Sequence, residues 1–239
     1  MIPLRAENKR RSVAVVTTLL IVINAVVFLY QLSLPAKAGA ALVESFGVVP
    51  ARTAELLEGA GGRLQASRVE LALLPLATSM FLHGGWLHLL GNMLFLWVFG
   101  ASVEDRLGHL SYLTFYLICG LGAGVIHIVA NWGSALPSIG ASGAISGVLG
   151  AYIVLFPRSR ILTLVPLLFF FFTVRLPALL MLGYWFLIQF LSGVTTLGQA
   201  NQGGVAWWAH IGGFLMGVFI TLALREGSNR PKTSSSWSV

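Results

Sequence analysis

Charged residues are scarce in this chain. They make up 10% of its 239 residues, against roughly 25% in an ordinary soluble domain. From Leu107 to Pro157, and again from Leu176 to Leu224, there is no Asp, Glu, Lys or Arg. Each of these runs is about twice the ~20 residues that a helix needs to cross a bilayer core, which excludes a soluble fold. Asp105 is the single aspartate, so a mechanism that needs two aspartates inside the membrane is excluded. A transporter or channel usually carries ionisable residues or broken helices at mid-depth, whereas the spans here hold no acid and no Lys or Arg. Cys119 is the single cysteine and lies in an apolar stretch, which excludes an internal disulfide framework. His83 and His88 are five residues apart without the H-E-x-x-H pattern, so neither a zinc site nor any other metal is expected.

Hydrophobic residues are abundant, at 56% of the chain with a mean hydropathy of +0.84. The expected fold is therefore an all-α membrane protein of six transmembrane helices. Its spans fall at about 13–34, 86–103, 110–130, 142–156, 177–197 and 205–224. Residues 1–12 form a basic N-terminal segment, 13–224 the membrane domain, and 225–239 a polar, Ser-rich tail expected to be disordered. The apolar run after the basic N-terminus is too long for a signal peptide and lacks a small-residue cleavage site, so it reads as a retained helix. "ILTLVPLLFFFFTV", Ile161 to Val174, is only about 14 residues and is interrupted by Pro166, a length that favours an interfacial or re-entrant piece.

Charge placement supports six spans. Arg5, Lys9, Arg10, Arg11, Arg106, Arg158, Arg160, Arg175, Arg225, Arg230 and Lys232 fall on one side, and only Lys37, Arg52, Arg63 and Arg68 on the other. The positive-inside rule then puts both termini in the cytoplasm. The net charge of +7 reads as membrane orientation, and a nucleic-acid partner is not expected. The compact chain without extra domains suggests a bacterial inner membrane.

Six spans also align the chemistry. The second, fourth and sixth helices all start at the external face, with His88, Ser142 and His210 near their starts. His210 lies on the order of 8–10 Å into its helix. A serine hydroxyl is a weak nucleophile until a base takes its proton, most often a histidine. Gly140 and Gly143 flank Ser142 in "GASG", and a helix start there favours a developing oxyanion. Gly213 and Gly217 share the helical face of His210. The fourth helix offers Gly143, Ser146, Gly147 and Gly150 in return, and such small-residue faces let membrane helices approach closely. With no acid in the external half of any span, a Ser–His dyad is expected rather than a triad. His88 and Asn92, four apart in "HLLGN", could donate hydrogen bonds to a tetrahedral oxyanion. Ser142 alone reads equally well as helix glue; the histidines and the amide at the same depth favour the catalytic reading.

"HGGWLHLLGNMLFLWVFGASVEDRLGH", "GASGAISGVLGAY" and "AHIGGFLMG" resemble the three signature blocks of the rhomboid intramembrane serine proteases, and the likeness runs from about Phe46 to Leu224. The resemblance implies a rhomboid-like six-helix bundle that cleaves transmembrane segments of its substrates, with the lipid bilayer around it and no cofactor. It implies Ser142 as nucleophile, His210 as general base, and His88, Asn92 and the Ser142 backbone N–H as oxyanion donors. Glu104 and Arg106 match a structural polar pair, and the long loop after the first span matches a membrane-embedded loop. Some members carry an aromatic residue four after the nucleophile; Ser146 stands there in this chain. The alternative is a catalytically inactive rhomboid-like protein that binds transmembrane helices, a class that typically lacks the serine or the histidine.

Other polar residues have plainer readings. Ser146 is expected to serve packing and Ser138 a turn. His83, His109 and His127 read as loop or satisfied-core histidines. Asn24 and Gln31 are expected to bond to neighbouring helices, Phe169 to Phe172 to face lipid or interface, and Trp207 and Trp208 to form an aromatic belt.

Overall fold

The charge-free runs fold as helices because, without water, only a backbone that satisfies its own polar groups can cross a bilayer. The computed structural model describes residues 1–58, 73–167, 170–196 and 205–228. Five helices are long and apolar enough to span: α1 (Val15–Ser33), α4 (Trp86–Leu107), α5 (His109–Ala130), α7 (Ala178–Thr195) and α8 (Trp207–Ser228). α6 (Ser142–Leu155) is shorter. Two amphipathic helices, α2 (Ala36–Phe46) and α3 (Pro50–Glu58), follow α1. The expected helical membrane bundle is present. α4 holds a π-helical turn at Leu96–Gly100, so it runs on past the expected end at residue 103.

α6 is the central helix. Every residue from Gly143 to Tyr152 is buried, as expected of a helix that is apolar all round. It packs against α5 and α8, and glycine sets how closely. A Cβ added to Gly213 would strike the carbonyl oxygen of Gly143, one on Gly217 that of Gly147, and one on Gly150 that of Phe214. The two backbones are in direct contact through these positions.

The fold is not purely helical: β1 (Ile2–Ala6), β2 (Arg160–Leu167) and β3 (Phe170–Pro177) form a three-stranded antiparallel sheet in that order. The segment 161–174, expected as an interfacial or re-entrant piece, is this hairpin. It is rich in β-branched and aromatic residues, which suit a pleated surface, and alternation buries Ile161 and Thr163. Phe170, Phe171 and Phe172 are exposed; Phe169 lies outside the described residues. The basic N-terminus is likewise part of the fold, since Glu7 pairs with Arg175 at 2.8 Å and Asp105 accepts hydrogen bonds from Ser12 and the Arg11 N–H. At the other end α8 continues to Ser228, beyond the expected start of the tail at 225; residues 229–239 lie outside the described residues.

Glu104 does not pair with Arg106, which is exposed. Its fully buried carboxylate accepts the N–H groups of Val16 and Thr17 at 2.8 Å each and meets His109 Nδ1 at 2.6 Å. α1 has no side-chain cap of its own, so an acid from α4 caps it, satisfying two of its orphan donors with charge-assisted bonds. Asn24 bonds to the Leu20 carbonyl of its own helix rather than to a neighbour. Gln31 bonds instead to the main chain of His83, accepting from its N–H at 3.0 Å and donating to its carbonyl at 3.3 Å.

Two substitutions test this packing. Gly213→Val should lower the thermal midpoint and the yield of folded protein, whereas Gly183→Val on α7, where an added Cβ meets nothing within 4 Å, should be mild. Equal midpoints for the two variants would contradict direct contact between α6 and α8. Glu104→Ala removes a buried acceptor of charge-assisted bonds, each worth about 1.5–3 kcal/mol; its midpoint should fall well below that of Arg106→Ala, measured in the same detergent.

Candidate active site

The start of α6 is fixed from two sides. Val48 and Ser138 form an isolated antiparallel bridge, with N–H to carbonyl distances of 3.0 and 2.8 Å, so Ser138 serves a backbone tether rather than a turn alone. Two residues on, the Gly140 N–H donates to the Ser79 carbonyl at 2.9 Å. Gly140 has φ +126°, a conformation that glycine tolerates and other residues rarely adopt. The chain then turns into α6, whose first residue is Ser142.

Ser142 Oγ lies 2.8 Å from His210 Nε2, across 68 residues of sequence. The other ring nitrogen, Nδ1, lies 2.7 Å from Gln189 Oε1 on α7. An amide oxygen only accepts, so Nδ1 carries the proton and Nε2 presents its lone pair to the serine hydroxyl. Trp185 lies one turn before Gln189, its ring 6.0 Å from the His210 ring at 32°. Trp207 meets the same imidazole edge-on, at 6.3 Å and 86°. Ser146 donates to the Ser142 carbonyl at 2.6 Å, a local bond within the helix.

α4 supplies two donors to the same place. The Gly84 N–H donates to His88 Nδ1 at 3.3 Å, which leaves Nε2 as the protonated nitrogen. A Cβ built on Gly140 would lie 2.6 Å from His88 Nε2 and 3.6 Å from Asn92 Nδ2. Both groups therefore converge beside Gly140, two residues before Ser142. Asn92 is buried, and its Nδ2 has no hydrogen-bond partner among the described residues. A buried unpaired donor costs stability, so its place beside a serine is informative.

Ser142, His210, His88 and Asn92 all line one cavity of about 770 Å³ between the helices. His127 lines it too, held by Asn131 through its own carbonyl at 2.9 Å, so it is neither a loop residue nor simply core. His83 sits behind His88, their rings 5.0 Å apart. Burial above all, and then the neighbouring His88, pushes the His83 imidazole down to about 4, which keeps it neutral behind the cavity at neutral pH. Among the described residues, no group of three or more His, Cys, Asp or Glu side chains could hold a metal ion.

The sequence reading missed Gln189 and Trp185. One signal was available: Gln189 is the one amide in the α7 span "ALLMLGYWFLIQFLSGVT", and a polar residue inside a span carries a functional presumption.

A family model described as Rhomboid domain matches residues 70–227. Similar curated proteins include the mitochondrial Rhomboid protein 1 of Saccharomyces cerevisiae, 34% identical over 171 residues, covering 66% of this chain and 45% of that protein. The Rhomboid protease GluP of Bacillus subtilis is 33% identical over 151 residues, covering 62% of this chain and 25% of that protein. The mitochondrial Presenilin-associated rhomboid-like protein A of Danio rerio is 32% identical over 149 residues, covering 61% and 36%. The chain thus spans less than half the length of these relatives. Two of the three are mitochondrial by name, so the expected bacterial inner membrane gains no support from them; the spans establish an integral membrane protein.

Proposed function

The chain belongs to the rhomboid family, and on that premise we propose that it is an intramembrane serine endopeptidase working through a Ser142–His210 dyad. The observation that carries this reading is the 2.8 Å contact between Ser142 Oγ and His210 Nε2 inside a helical bundle. In the proposed reaction, His210 Nε2 accepts the Ser142 proton as Oγ bonds to the scissile carbonyl carbon. The resulting oxyanion receives hydrogen bonds from His88 Nε2–H, the Asn92 amide and the Ser142 N–H. His210 then returns the proton to the leaving amine, and the C–N bond breaks. Water, deprotonated by the same nitrogen, hydrolyses the acyl-enzyme and frees Ser142.

The substrate class follows from where the residues sit. Ser142, His88 and His210 lie at the starts of three helices that begin at one end of the bundle. α6 has 14 residues, so it is about 21 Å long, short of the ~30 Å hydrocarbon core. A serine at its start lies below the membrane surface, within reach of peptide bonds in or beside a transmembrane segment. The basic N-terminal segment and the Arg158–Arg160 turn share the opposite end, which we assign to the cytoplasm with both termini. The membrane domain is then 13–224, surrounded by bilayer lipid.

The test is cleavage of a panel of single-span substrates by the purified full chain in liposomes, alongside labelling by a fluorophosphonate. Ser142→Ala should abolish both while leaving the thermal midpoint near the parent value, and Ser146→Ala should keep most activity. Cleavage that survives Ser142→Ala but not Ser146→Ala would move the nucleophile. A parent that binds transmembrane peptides, yet neither cuts nor labels, would favour the inactive rhomboid-like alternative.

Asn92→Ala should lower kcat by about 10²–10³-fold, the usual loss for one oxyanion donor, with KM little changed. An unchanged kcat with a lowered melting point would reduce Asn92 to a packing role.

A further inference from the structure

The dyad has a third member that no acid supplies. We infer that Gln189 is the positioning residue for His210: its amide oxygen accepts the Nδ1 proton and so fixes the imidazole in the tautomer that can take a proton from Ser142. This rests on the reading of Ser142 and His210 as nucleophile and base.

Three observations carry it. Gln189 is a buried amide on a span with no charged residue, and a polar group in that setting is costly without a purpose. Its Oε1 meets Nδ1 at 2.7 Å while Ser142 Oγ meets the other ring nitrogen, Nε2, at 2.8 Å, so the imidazole bridges the amide and the serine. Trp185, four residues earlier on the same face of α7, lies across the ring with 32° between planes, a tilted stack that limits rotation. One bond sets the proton position and one ring sets the plane. Both come from α7, while the α6 position four after Ser142 carries only Ser146, which bonds to its own helix.

The chemistry explains why an amide suffices. A triad acid orients the histidine and stabilises the imidazolium that forms when it takes the proton. A neutral amide does the first and contributes only a dipole to the second. Within a bundle whose interior holds almost no other charge, a carboxylate at that site would itself require desolvation. Gln189 therefore fixes the tautomer without burying an ion. α7 becomes part of the chemistry as well, because movement of this helix away from α8 would release the base from its oriented state.

The experiment compares Gln189→Leu, Gln189→Ala and Gln189→Glu with the parent. Gln189→Leu keeps the approximate volume and removes the acceptor. It should lower kcat and the rate of fluorophosphonate labelling together by roughly 10–10²-fold, with KM near the parent value. Gln189→Glu restores an acceptor oxygen and should recover part of both. The ¹⁵N signals of His210 in selectively labelled protein should show Nδ1 protonated in the parent and a mixture of tautomers in Gln189→Leu. Parental kcat in Gln189→Leu would overturn the proposal. So would a Glu variant no better than Leu, which would mean that the loss came from packing, or a parent imidazole protonated at Nε2. If Gln189→Leu does not fold, the Ala and Glu variants and the parent tautomer decide. A parent that never labels at Ser142 sinks the protease reading, while the tautomer measurement still tests Gln189.

Discussion

The structure depends on backbone contact between α6 and α8. Lipid gives membrane helices no hydrophobic reason to associate, so they associate by packing and by polar bonds. In this chain the packing is as close as it can be, with Gly213 and Gly217 seated on the carbonyls of Gly143 and Gly147, and Gly150 on that of Phe214. The approach has a direct consequence at one end of the pair. Ser142 is the first residue of α6 and His210 lies in the first turn of α8, so the same contact that joins the helices sets a 2.8 Å distance between the two side chains. A displacement of about 1 Å there can cost ~10²-fold in rate. The glycines are thus both the glue of the bundle and the ruler of its site.

A second constraint is that buried polar groups need partners when no water reaches them. The chain meets it with side-chain bonds between distant segments. Glu104 of α4 caps α1, Gln31 of α1 holds the loop carrying His83, and Asn8 reaches Tyr152 at 2.7 Å. Each fixes the position of an element that in turn positions the cavity. Asn92 Nδ2 is one of several buried polar atoms without a partner among the described residues, along with atoms of Thr17, Asn24, His83, Tyr112 and Tyr116, and of these residues it is the one that lines the cavity. It lies beside Gly140, two residues before Ser142.

α7 stands apart from this pattern. Most of its outer surface is apolar and exposed, as at Leu179, Leu180, Leu187 and Leu191. Its inner face brings Trp185 and Gln189 to the imidazole of His210. An imidazole held by an amide and a tryptophan from one helix, and facing a serine on another, joins the orientation of His210 to the seating of α7 in the bundle.

Much of the architecture was legible in the sequence, for a physical reason: each span must be apolar over a length set by the bilayer, and that signal is local. The small residues of the α6 and α8 faces were visible in the same way, since Gly143 and Gly147, and Gly213 and Gly217, recur at helical spacing. The residues that meet around the cavity were also legible, because the depth of a residue in a span follows from its distance to the helix start. Partner choice was not. That Glu104 would cap α1 instead of pairing with Arg106, that Gln31 would hold a loop, and that Gln189 would meet Nδ1 of His210 depend on which faces turn toward each other, and no local pattern encodes that rotation. The hairpin of β2 and β3 pairs with β1 from about 160 residues away, so its strand pairing could not be read from residues 161–174 alone. Apolar length and small-residue spacing were fixed by the order of the residues; the bonds that orient the candidate site were decided only when the helices and the sheet came together.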